Sequence, residues 1–194
     1  MKTQKKLSTK NLVLAAILTA LVIILQFMGA FVKFGPFSIS LVLIPIVIGA
    51  ASCGKSIGAW LGLVFGIVVL ASGDAAVFLA INPLGTVLTV LAKGTACGFL
   101  AGLTYKSFEK TNKTLAVAVS AIVCPLTNTG IFLLGCLAFF METVAEWASA
   151  FGFGNNVIGY MIFGLIGANF LVELLTNIIL SPIIVRLLNI RKVN

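Results

Sequence analysis

Apolar residues fill six long stretches of the chain, parted by short polar breaks. At about 20 residues per bilayer crossing, the pattern predicts six membrane helices. Helix one spans about Asn11 to Val32 and stops at Gly35-Pro36, a pair that favours a turn. Helix two, from about Ile39 to Ser52, is short and holds Pro45. Helix three covers about Ser56 to Ser72, and the loop from Gly73 to Pro83 carries Asp74. Helix four runs from about Leu84 to Tyr105, and Lys106 to Lys113 form a polar turn. Helix five runs from Thr114 to about Met141, with Pro125 and Gly130 near its middle. Glu142 to Asn156 read as the longest polar-leaning loop, made interfacial by Trp147, Phe151 and Phe153. Helix six runs from about Val157 to Leu188, with Pro182 close to its end. The expected fold class is an all-α integral membrane protein, one domain over residues 1–194.

Composition agrees with a lipid solvent. The chain is 60% hydrophobic and 9% charged, with a mean hydropathy of +1.19. A soluble domain carries about 25% charged residues. The net charge of +8 would suggest nucleic acid in a soluble protein, but here the basic residues sit at helix ends and set orientation. With the N-terminus inside, Lys2, Lys5, Lys6, Lys10 and Lys55 fall on the cytoplasmic side. So do Lys106, Lys110, Lys113, Arg186, Arg191 and Lys192. Only Lys33 falls outside, with Asp74, Glu142 and Glu146, while Lys93 lies within helix four. A missed crossing would flip every later loop, so helix count and cytoplasmic termini support each other. The first apolar run exceeds the roughly 7–15 residues of a signal-peptide core, and Met28-Gly29-Ala30 makes a poor cleavage site.

Helices in lipid associate through close packing of small residues rather than through a hydrophobic drive. Gly58, Gly62 and Gly66 on helix three, and Gly94, Gly98 and Gly102 on helix four, repeat at four-residue spacing. Each set makes a groove that suits packing within the chain or docking of another protein. Ala16 and Ala20 form a flat stripe on helix one, near the lysine-rich start.

Cys53, Cys97, Cys124 and Cys136 show no C-x-x-C spacing, and the chain has no histidine. They read as small buried residues rather than metal ligands. There is no G-x-S-x-G elbow, nucleotide-binding glycine loop or pair of intramembrane aspartates, so the sequence does not read as an enzyme. Charge inside the bilayer is costly, which makes Lys93 and Glu173 functional candidates. They either pair with each other to lock two helices or face an internal cavity that holds a polar ligand. Asn128 sits in Cys124-Pro125-Leu126-Thr127-Asn128-Thr129-Gly130, a polar segment expected to break helix five. Asn169, Glu173 and Asn177 follow one another at four-residue steps and turn one polar face inward. Asn82, before Pro83, lies where the outer loop enters helix four. Together these groups suit a small ligand with a carboxylate, hydroxyls or amides.

With these residues in view, the chain resembles the substrate-binding S components of energy-coupling factor (ECF) vitamin transporters. The resemblance rests on the size, the six helices, the lysine-rich start and the Ala16-x-x-x-Ala20 motif. The segments ISLVLIPIVIGA (39–50), INPLGTVLTVLAKG (81–94) and CPLTNTGIFLLG (124–135) look like the pantothenate-type branch. The resemblance implies a bacterial cytoplasmic-membrane protein that binds one vitamin from outside and needs no cofactor of its own. It implies docking, through the alanine stripe, on a shared transmembrane coupling subunit that carries two ATPases. It also implies a ligand site in the outer half, on or beside Asn82, Lys93, Asn128, Asn169 and Glu173, with Phe34 to Ser38 as a lid. Riboflavin, folate and a thiamine or pyridoxine precursor remain alternative ligands; the few aromatics of helices four and six disfavour a large flat ring. The competing classes are a small secondary transporter or channel and an assembly factor without a ligand.

Overall fold

The computed structural model describes residues 9–31, 33–34, 37–38 and 41–193. Apart from one small hairpin the described chain is helical, in the order α1 (Thr9–Phe31), α2 (Leu43–Cys53), α3 (Lys55–Ala71), α4 (Ala76–Ile81) and α5 (Pro83–Phe108). α6 (Lys113–Phe139) and α7 (Met141–Ala150) follow. The last helix starts as α8 (Val157–Gly159), passes through a π-helical stretch (Tyr160–Ile166) and continues as α9 (Gly167–Val193). Between α1 and α2, β1 (Lys33–Phe34) pairs antiparallel with β2 (Phe37–Ser38). Residues 35–36, at the centre of the expected lid, lie outside the described residues.

Four helical stretches are long and apolar enough to cross a membrane: Thr9–Gly29, Pro83–Phe108, Lys113–Phe139 and Asn169–Arg186. α2, α3 and the stretch Val157–Ile166 are apolar but shorter. The exterior is apolar too, with Leu12, Ile17, Ile24, Leu134, Phe163 and Ile179 all more than half exposed. Such a surface, unfavourable in water, is at rest in hydrocarbon.

The shortness of α2 follows from its place. Val42, Leu43, Ile46 and Val47 are wholly buried, and the helix touches α1, α3, α5, α6 and α9. Pro45 falls in its first turn, where a missing N–H costs no helical hydrogen bond. Gly54, at φ 94°, is the one-residue link between α2 and α3, a left-handed geometry that glycine adopts without steric cost.

The glycine grooves meet each other. Gly58 lies against Gly98, Gly62 against Gly94, and Gly66 against Val90 and Leu91, so α3 and α5 run antiparallel in backbone contact. A methyl group at Gly62 would run into the Gly94 carbonyl. Of the two uses open to these grooves, packing within the chain is the one they serve.

Three expectations change. The loop over 142–156 contains α7, whose Val144 and Ala148 pack one turn apart into the interior. The loop over 73–83 contains α4, held by Phe78 edge-on to Phe132, Phe140 and Trp147 at centroid distances of 5.6, 5.1 and 5.7 Å. α6 does not break at Pro125 but stays helical throughout, because unpaired backbone groups are more costly in lipid than in water.

Candidate functional site

Buried residues gather in two apolar clusters. The larger joins α1, α2, α3, α5, α6 and α9, and the smaller joins the end of α6, α7 and the π-helical stretch. Between them lies a cavity of about 130 Å³. Its walls come from the last turns of α1 and α3, the second half of α6, the first halves of α5 and α9, the end of the π-helical stretch, and parts of α4 and α7. It therefore sits toward the end of the bundle opposite the α1 N-terminus.

Lys93, Asn128, Asn169 and Glu173 all line this cavity. Ten residues into α5, Lys93 is about 15 Å along the axis from Pro83 at 1.5 Å per residue. Its Nζ stands 5.3 Å from the centre of the Phe132 ring and 5.8 Å from that of Phe65, within cation–π range. Two carboxylates, Glu173 and Asp74, line the same cavity as Lys93. Glu173 is buried, and the Asn169 Nδ2 approaches its Oε1 at 3.5 Å. The carboxamide oxygens of Asn128 and Asn169 are buried without a hydrogen-bond partner among the described residues. An unsatisfied polar oxygen at such depth costs about 1–3 kcal/mol, which a bound molecule or water would recover.

Asn82 stands apart. Its side chain accepts the Gly85 N–H at 2.9 Å and caps α5, with Pro83 in the first turn. It does not line the cavity. Asn177 is buried and donates to the Glu173 carbonyl at 2.8 Å, one turn below the cavity wall.

The cavity also holds groups that sequence reasoning passed over. Gln26, buried near the end of α1, donates to the Asp74 carboxylate in the turn after α3. Both line the cavity, as do Thr86, Thr89 and Thr129. Six aromatic rings complete the wall: Phe65, Phe78, Phe132, Phe140, Trp147 and Phe170. Only Phe170 belongs to helix four or six, so aromatic poverty of those two helices says little about stacking partners.

Ala16 and Ala20 are exposed on the outer face of α1, beside Leu12, Val13 and Ile17. Trp60 of α3 flanks that helix, with its indole N–H on the Thr19 hydroxyl at 3.2 Å.

Fold and cavity together define a helical membrane protein built round a small chamber whose largely apolar, aromatic walls carry a few polar and charged groups. Residues 10–185 match the family model of the ECF transporter, substrate-specific component, and the chain belongs to that family. Among curated proteins none matches the sequence.

Proposed function

We propose that the chain is the substrate-binding subunit of an ATP-driven importer in a bacterial cytoplasmic membrane, with a small B vitamin or precursor as its ligand. The observation that carries this reading is the cavity, where Lys93, Asn128, Asn169 and Glu173 from three helices meet in a chain of the substrate-specific family. In this reading the chain crosses the membrane six times with both termini in the cytoplasm, as the basic residues favour. The cavity then opens toward the outer side. A shared transmembrane coupling subunit and two ATPases supply the energy, and the exposed Ala16 and Ala20 provide a flat face for docking.

Pantothenate is the first candidate ligand. Its carboxylate suits the Lys93 ammonium, and its amide and hydroxyls suit the asparagines. A second reading, a vitamin with a flat ring such as riboflavin, folate or a thiamine or pyridoxine precursor, draws support from the six aromatic rings of the cavity wall. Native mass spectrometry of the purified protein, released from detergent, separates them by the mass of any co-purified molecule. A pantothenate mass supports the first reading and another vitamin mass the second. An empty protein that binds none of the B vitamins refutes the importer role.

A further inference from the structure

Hydroxyl groups on membrane helices have a standard partner. Thr19, Thr86, Ser107, Ser120 and Thr176 each donate to the carbonyl four residues earlier. Thr89 departs from that pattern. Its side chain is 6% exposed and lines the cavity, and its Oγ1 has no hydrogen-bond partner among the described residues. Gly135 of α6 lies directly against it, and a Cβ there would collide with the Thr89 methyl and hydroxyl groups. The bare backbone of Gly135 thus leaves the threonine its place. Across the cavity wall, Asn128 is equally buried, at 6% exposure, and its Oδ1 is also unpartnered. Lys93 follows Thr89 by one helical turn on α5 and lines the same cavity.

We propose that Thr89 and Asn128 form a hydrogen-bonding subsite for a hydroxyl or amide N–H of the bound molecule, one helical turn from the Lys93 charge. The subsite rests on the importer reading and narrows its substrate class. The ligand carries a neutral donor group close to its anionic or polar end. The Asn128 oxygen accepts from that donor, while the Thr89 hydroxyl both donates and accepts. A molecule of the same shape without the donor leaves the buried Asn128 oxygen unsatisfied and is rejected on that account.

Two readouts on Thr89→Val, Thr89→Ser and the parent protein test the subsite, with pantothenate, riboflavin, folate, thiamine and pyridoxine as probes. The first is the Kd of whichever probe the parent binds. Thr89→Val is expected to weaken it roughly tenfold, and Thr89→Ser to restore it to within about threefold of the parent. The second is the melting temperature without ligand. Thr89→Val is expected to equal or exceed the parent, because the hydroxyl it removes has no partner to lose. A parent that binds none of the probes refutes the importer reading and the subsite with it, whereas a parent that binds a probe leaves the importer reading standing whatever Thr89→Val shows. A drop in the ligand-free melting temperature on Thr89→Val shows a structural bond for the hydroxyl and overturns the proposal. So does unchanged affinity in Thr89→Val for a probe that binds.

Discussion

Replacing Lys93 by methionine removes one positive charge from the cavity while nearly preserving side-chain length. The thioether can still rest against Phe65 and Phe132, the two rings that now face the ammonium. The packing change is therefore small, and the lost term is electrostatic. A hydrogen bond to a charged group contributes about 1.5–3 kcal/mol, equivalent to roughly 10- to 150-fold in Kd. That range is the expected loss for pantothenate. The neutral alcohol analogue of pantothenate lacks the carboxylate and is expected to lose less than about threefold. Intrinsic fluorescence suits the measurement, because Trp147 lines the cavity and Trp60 is half-exposed on α3. A Trp60→Phe background leaves Trp147 as the sole reporter. Equal losses for the acid and the alcohol would refute the role of Lys93 as an anion contact. A lower melting temperature with unchanged affinity would instead assign it to holding Glu173 and its helix in place.

Gly62→Leu is expected to prevent α3 from seating on α5 and to abolish a monodisperse, folded protein in size-exclusion chromatography. Gly130→Ala, with open space beside its Cα, is expected to behave as the parent; equal damage from both would remove the seam from the explanation. Ala16→Trp and Ala20→Trp are expected to leave ligand binding intact and to abolish cellular uptake, because a bulky ring spoils a flat docking face. Parallel loss of binding would sink the docking role. Asn82→Ala is expected to cost about 1 kcal/mol of stability through the lost helix cap and to leave the Kd unchanged. A weakened Kd at full stability would return Asn82 to the ligand site.

The long helices were legible because length and continuity of apolar sequence are what a bilayer selects. α1, α5 and α6 begin and end within about three residues of the expected limits. α4 and α7 escaped because neither is long enough to register as a crossing. Both are held by tertiary contacts, α4 through the Phe78 aromatic cluster and α7 through Val144 and Ala148. Lys93 and Glu173 announced themselves by charge in an apolar run. Asn82 drew attention for the same polarity, yet Asn-Pro at the head of a helix is a capping signature in its own right. Thr89 carried no signal, since a threonine in a membrane helix ordinarily satisfies itself on its own backbone. Gln26 and Asp74 are 48 residues apart, and only the packing of α1 against the end of α3 brings them together.

α5 presents two faces with separate duties. Gly94 and Gly98 press on α3, while Thr86, Thr89 and Lys93 look into the cavity. The first face tolerates almost nothing but glycine, because what it meets is the unyielding backbone of its neighbour. The second meets side chains and open space, with Thr89 against Gly135 of α6 and Lys93 over the rings of Phe65 and Phe132 beside the cavity. Side chains on the cavity face can therefore be exchanged one at a time with the seam untouched. On the importer reading proposed above, such a division lets one scaffold change cargo without having to relearn how to fold.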